Sequence, residues 1–338
     1  LSCRVNFLAP ITKLFSMELK LWNLLTVVAF TFLSSSLAAN NGLAPEVTDL
    51  NAEDISFQKE KEIPYLEKPF ISTSPRALND QLKAGKLGID GGKEEVVLKY
   101  VRELAKKSDD PKSGKTDSLL IAYKNKLLFE SYFRRGRRNY PHYQMSITKS
   151  YTAYALGRAI QMGYLTMEDL HKPTVSFLDQ IELEKLAKGA GQITLHQAMQ
   201  MSSGIRLPKR KIGEIVRKPD LLKGQGQARA YLQFTNSISN QLPQPFKYQS
   251  ADTVLTMQVL ESAVSGSAED FIRNQLFKPM GIINYGWQED LSGFPKSAAG
   301  SSVLSRDMIK LGLLTLNQGI WNGKQHLPEE FVKQATSP

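Results

Sequence analysis

The sequence predicts a mixed α/β domain, and three observations carry that prediction. Two β-rich runs, 118–123 and 127–133, flank Lys124-Asn125-Lys126 and read as a hairpin. From residue 146 onward the apolar residues recur mostly at helical spacing, in segments closed by Gly or Ser breaks. Composition is globular: 338 residues, 41% hydrophobic, 9% aromatic and 22% charged, with 23 Gly, 16 Pro and no low-complexity tract. These values exclude a disordered chain, a collagen and a coiled coil. The single cysteine, Cys3, excludes an intrachain disulfide, a cysteine-rich zinc site and a cysteine redox pair. A formal charge of +10 admits nucleic acid, an acidic membrane surface or an acidic polymer as partner, and says nothing about fold.

Residues 1–39 have the order of a secretory signal peptide, with Met17 as the expected start and residues 1–16 as upstream sequence. Lys20 precedes an apolar run, Leu21–Leu33, and small residues follow from Ser34 to Ala39. Cleavage is expected after Ala38 or Ala39. The run is shorter than the ~20 residues a spanning helix needs, and the competing reading is an uncleaved anchor. No cysteine follows it, which argues against a lipid anchor. Periplasmic or secreted location in a bacterium is therefore expected, with no membrane contact beyond the signal peptide.

The remaining elements follow in order. Residues 40–92 are polar and punctuated by Pro45, Pro64, Pro69 and Pro75, and read as an N-terminal extension. Val96, Val97, Leu98, Val101, Leu104 and Ala105 predict a helix over 94–106. Further helices are expected at 146–162 (ending at Gly163), 167–170, 194–201, 251–262, 268–276 and 306–316. The early strands and the long helical stretch call for a sheet with more strands than the pattern supplies.

The candidate nucleophile is Ser146, in Gln144-Met145-Ser146-Ile147-Thr148-Lys149. On a helix, positions i and i+3 share a face, so Lys149 can reach the Ser146 hydroxyl. A serine hydroxyl needs a base to take its proton, and a lysine serves when burial or nearby positive charge depresses its pKa. A helix start adds free N–H groups and the positive dipole end for an oxyanion. The same spacing at Ser56 and Lys59 lies in a charged, irregular stretch. The bland reading of Ser146 is a helix N-cap. Tyr248 and Ser250 follow a polar loop and precede a helix, where a phenol can aim into a cleft. Their bland readings are a packed aromatic and an N-cap.

Together the Ser-x-x-Lys pair and Tyr248-Gln249-Ser250 resemble the motifs of the serine β-lactamase and penicillin-binding-protein superfamily. The likeness is nearest to its class C-like branch of esterases and 6-aminohexanoate-dimer hydrolases. It extends to Ile193–Met199 with Ser202-Ser203-Gly204, to Phe271–Gly281, and to Ala299–Ser302 with Ser305-Arg306-Asp307, covering roughly residues 93–338. The resemblance implies an antiparallel sheet flanked by helices plus a mostly helical subdomain. It implies acylation of Ser146 by an ester or amide carbonyl, with water then releasing the acid. Lys149 would be the base or would hold Tyr248 anionic, Tyr248 would relay the proton, and Ser250 would bind Lys149 or substrate. The likeness of Lys247–Thr253 to the 6-aminohexanoate hydrolase branch implies linear amides and esters over β-lactams, and the arginine-rich loop before Ser146 favours an anionic substrate. The family's third motif, Lys or His-x-Gly, has no credible copy before Pro338. The chain is thus expected to lack C-terminal strands, and a catalytically inactive binder of cell-wall peptide or of a partner is the alternative.

Other residues point to less. His142, His171, His196 and His326 show no metal spacing, and His196 reads as structural. No G-x-S-x-G announces a Ser-His-Asp hydrolase, and no glycine pattern supports a nucleotide cofactor. The expectation is therefore no metal and no cofactor. Arg134–Arg138 and Lys209–Lys211 read as solvated loops rather than a nucleic-acid surface, because no nucleic-acid module accompanies them. The expected partners are a small ester, amide or peptide, with peptidoglycan as a possible polymer target.

Overall fold

Residues 55–92 do more than their aperiodic sequence announces. In the computed structural model they carry helix α1 (Phe57–Glu62) and strands β1 (Phe70–Ser72) and β2 (Lys83–Ala84). The structure describes residues 42–48, 55–108, 110, 116–239 and 244–337. The expected signal peptide lies outside them.

Helix α2 (Glu94–Ser108) is followed by β3 (Ser118–Tyr123) and β4 (Lys126–Tyr132). Lys124 and Asn125 have φ of 46° and 63°. Both central residues are left-handed, as a two-residue hairpin turn matched to strand twist requires. Lys126 therefore opens β4 instead of belonging to the turn. β4 is the middle of the first sheet, antiparallel to β3 from Ser118↔Tyr132 to Tyr123↔Lys126. Its other edge takes β1 antiparallel and β2 parallel. Flanked on both edges, β4 is buried from Leu127 to Tyr132. Its Leu128 and Phe129, with Phe133, meet Val97, Leu98, Val101 and Leu104 of α2, the apolar stripe that the spacing predicts.

Strand β5 (His142–Tyr143) leads through a 3₁₀ turn, Met145–Ile147, into α3 (Thr148–Gln161). Gly163 closes α3 at φ 81°, the left-handed position a glycine supplies. A mostly helical subdomain follows, with α4 (Leu195–Met199), α5 (Lys209–Val216) and α6 (Gly226–Phe234). A full capping box between Thr194 and Gln197 starts α4. Lys209–Lys211 opens α5, so this basic cluster sits on a helix and not in a loop. Leu178, Ile193, Ile205, Leu232 and Leu255 form the subdomain core.

Helix α7 (Ala251–Ala263) is buried continuously from Ala251 to Leu260. Leu255 faces the subdomain core, while Met257, Val259 and Leu260 face the main core. Packed on every side, with Asp252, Thr253, Thr256 and Gln258 buried among its apolar residues, α7 joins the two cores. The helix expected over 268–276 is α8 (Ala268–Phe271) continued as a π-helical turn, Ile272–Phe277. Strands β6 (Tyr285–Trp287) and β7 (Ser301–Val303) form a second antiparallel sheet with β5, in the order β5-β7-β6. The described chain then runs through α9 (Ser305–Leu316), the short hairpin β8 (Ile320–Trp321) and β9 (Lys324–Gln325), and α10 (Glu329–Thr336). The architecture is the expected mixed α/β one, with antiparallel pairing throughout except β2 on β4.

Candidate active site

The turn that presents Ser146 begins with Gln144, which directly follows β5. Met145 has φ 45°, a backbone region that side-chain-bearing residues rarely adopt. Such a conformation persists only where its surroundings impose it. Here both flanks are pinned. The Gln144 amide N–H donates to the Ser301 carbonyl at 2.8 Å, and its side chain donates to the His142 carbonyl at 2.7 Å. The Tyr151 hydroxyl donates to Gln144 Oε1 at 3.0 Å. On the other flank, buried Thr148 shares a 2.8 Å hydroxyl contact with Ser301 and accepts the Ser301 N–H at 3.2 Å. Ser146 is left exposed at the tip, in the first turn of a helical run where backbone N–H groups lack intrahelical acceptors.

Lys149 stands one turn further on. Its Nζ donates to Ser146 Oγ at 3.3 Å and to the Ala298 carbonyl at 2.6 Å. The second bond orients the amine, because the segment entering β7 is itself tied to α3 by Thr152, whose hydroxyl donates to the Ser297 carbonyl at 3.1 Å. The same Nζ lies 4.9 Å from the centre of the Tyr248 ring.

Tyr248 reaches the pair from the loop before α7. Hydrogen bonding to Ser146, then to Lys149, favours its phenolate, and with the lysine charge holds the phenol below its ordinary value. Two contacts aim this loop. The Lys247 N–H donates to the Met201 carbonyl at 2.9 Å. Gln249 Nε2 donates to Asp252 Oδ2 at 2.7 Å. Asp252 is buried, which pushes its carboxyl up. Met201, just before Ser202-Ser203-Gly204, thus braces the tyrosine loop.

Ser250 does not join the other three. It is the residue before α7, at φ −90° and ψ −22°, with no side-chain capping bond. Its carbonyl accepts from the Thr253 hydroxyl at 3.0 Å. Among the described residues its hydroxyl makes no hydrogen bond to Lys149. Three of the four expected site residues therefore converge.

Sequence reasoning missed the supports: the Ala298 carbonyl, the Thr148–Ser301 pair, Gln144 with Tyr151, and Met201. A backbone carbonyl leaves no residue signature. Thr148, between Ser146 and Lys149, was the one legible hint. His196 lies 5.7 Å from the His171 ring, and burial lowers its pKa. Away from Ser146, one His/Asp/Glu group assembles among the described residues, Glu60, Asp117 and His142, with ligand atoms within 4.8 Å of one another. Glu60 already bonds His142 Nδ1 at 3.0 Å and the Tyr143 N–H at 3.0 Å. Asp117 accepts the Arg135 N–H at 3.1 Å. The group reads as a clasp tying α1 to β5.

Known proteins share this fold. A solved structure described as a putative 6-aminohexanoate-dimer hydrolase from Bacillus anthracis superposes with a TM-score of 0.55, at 18% identity over 84% of this chain and 73% of that one. A penicillin-binding protein homologue from Caulobacter crescentus gives 0.51 at 11% identity, over 70% and 74% of the two chains. EstCE1, a hydrolase with promiscuous acyltransferase activity, gives 0.51 at 13% identity, over 70% and 76%. At such identities the likeness is one of fold. An uncharacterized protein of Alkalihalophilus pseudofirmus is 23% identical over 65% of this chain, and this chain spans 64% of its length. The family described as Beta-lactamase, whose members are generally hydrolases, matches residues 102–338. That match runs through the serine turn, the lysine and the tyrosine loop, and the chain belongs to the β-lactamase family.

Proposed function

We propose that the chain is a serine hydrolase that works through an acyl-enzyme, with Ser146 as nucleophile and Tyr248 as its base. The observation that supports this most is the convergence of Ser146, Lys149 and Tyr248 from two separate segments. Lys149 Nζ lies 3.3 Å from Ser146 Oγ but only 2.6 Å from the Ala298 carbonyl, its nearer partner. Tyr248, held toward its anion beside Ser146, is the better acceptor. In this scheme the Ser146 proton passes to the phenolate as Oγ attacks the carbonyl. Tyr248 then returns the proton to the departing alcohol or amine. Water attacks the ester on Ser146, again giving its proton to Tyr248, which returns it to Ser146 Oγ as the carboxylic acid leaves. Lys149 stabilises the phenolate form from which Tyr248 starts each half of the cycle, and is itself oriented by Ala298. Ser250, beside Tyr248 but outside the triad, is assigned to substrate contact.

Linear esters and amides are the proposed substrates. The likeness of Lys247–Thr253 to the 6-aminohexanoate hydrolase branch supports them, and the resemblance in fold to a protein described as a 6-aminohexanoate-dimer hydrolase is consistent with them. Export through residues 17–39 is proposed on their sequence order. Turnover of a p-nitrophenyl ester, a linear ω-amino amide and a chromogenic cephalosporin tests the substrate class. Hydrolysis of the first two, with the cephalosporin slowest, is expected. Preference for the cephalosporin would overturn the class assigned, and no turnover of any would favour the inert cell-wall binder.

A further inference from the structure

The catalytic reading leaves the basic cluster on α5 unused. Between Arg206 and Arg229, eight Lys or Arg residues stand against only Glu214 and Asp220. These 24 positions hold most of the excess charge of a +10 chain. The apolar residues there are placed unusually. Ile215 turns inward to Leu222 and Ala230. Ile212 and Val216, one turn apart on the same side, are 44% and 53% exposed, and Leu221 is 59% exposed. Beside them a cleft of about 400 Å³ runs between α5 and α6, lined by Ile215, Leu222 and Phe234 and rimmed by Arg217, Lys218 and Arg229. The Lys211 ammonium sits 4.8 Å above the Phe234 ring.

A basic helix with outward apolar residues fits a partner that offers anions and hydrocarbon together. A soluble polyanion would use the cations alone and leave Ile212, Val216 and Leu221 in water. We propose that this face, from α5 through Leu221 to the cleft, rests on a bilayer containing anionic phospholipid. The basic side chains meet headgroup phosphates, and Ile212, Val216 and Leu221 enter the interface. Among the described residues no helix is long and apolar enough to cross a membrane, so the contact is a surface one. This departs from the sequence expectation of no membrane contact beyond a signal peptide, and it does not depend on the chemistry at Ser146.

The test uses the full chain with Cys3→Ser and Val216→Cys, labelled with an environment-sensitive fluorophore. Vesicles of phosphatidylglycerol and phosphatidylcholine should shift the emission to the blue, and pure phosphatidylcholine should not. A label at Ile89→Cys, another exposed position, should stay in water, which separates this face from any attachment through residues 1–39. Lys209→Gln, Arg217→Gln and Lys218→Gln together should weaken partitioning about 100-fold, at about fivefold per cation. Ile212→Ser with Leu221→Ser should abolish the binding that survives in high salt. A silent Val216 label on vesicle-bound protein would overturn the proposal. So would serine variants that bind like the parent, or an equal shift on soluble polyphosphate.

Discussion

A phenol that sits beside a lysine and a serine titrates early. Tyr248 is held below its ordinary value, whereas burial pushes Tyr132 and Tyr151 well above it. Ultraviolet difference titration should therefore show a phenolate transition below pH 10 that disappears in Tyr248→Phe. If that phenolate is the base, turnover rises with pH through the Tyr248 value and levels off above it. Loss of the group should lower kcat by about 10²–10⁴, and a rate insensitive to Tyr248→Phe would remove it from the chemistry. Ser250→Ala should change stability by less than about 0.5 kcal/mol, since its hydroxyl makes no capping bond. A rise in KM with kcat unchanged would then mark a substrate contact. Ser146 and Lys149 were legible because three-residue spacing on a helix is a geometric statement. Met145 was not, because a left-handed methionine is imposed by its neighbours and has no propensity to announce it.

At the level of elements, α3 carries Lys149, follows directly on the turn that holds Ser146, and is held in place from behind. Gly157 faces α10, and a Cβ there would lie 2.6 Å from the ring of Phe331, which is buried. Gly157→Ala gains about 1 kcal/mol of helix propensity but overpacks a rigid ring at about 1–3 kcal/mol. The variant should melt lower than the parent, and adding Phe331→Leu should recover part of the loss. A higher melting temperature for Gly157→Ala alone would show that α10 yields. The sequence made α2, α3, α7 and α9 readable because each repeats its apolar pattern over several turns. It concealed β1 and β2, which are three and two residues long. Strands that short have no period to read, and β4 alone sets their pairing. The basic cluster of α5 was misplaced for a related reason. Its charges read as loop, while the apolar residues that define the helix follow from Ile212 onward.

For the molecule as a whole, one buried ion cluster ties distant parts together. Arg306 of α9 donates to Glu130 of β4 at 2.9 Å and to Asp80, in the segment between β1 and β2, at 2.7 Å. Both Arg306 and Glu130 are almost fully buried. Removing the cation leaves a carboxylate charged in the interior, which costs about 3–5 kcal/mol. Arg306→Met should therefore unfold at markedly lower denaturant, and Arg306→Met with Glu130→Gln should regain part of that loss. A single variant as stable as the parent would show that the cluster is not what joins residues 55–92 to the rest. That joining matters for function, since α1 clasps β5 through Glu60 and His142, and β5 feeds the turn at Ser146. Activation of that serine can be read in one experiment. The folded chain is treated with a fluorophosphonate and the adduct mapped by peptide mass. The structure predicts a single adduct on Ser146, lost in Ser146→Ala and slowed in Tyr248→Phe. Folded protein that stays unlabelled, or that is labelled at another serine, would contradict it.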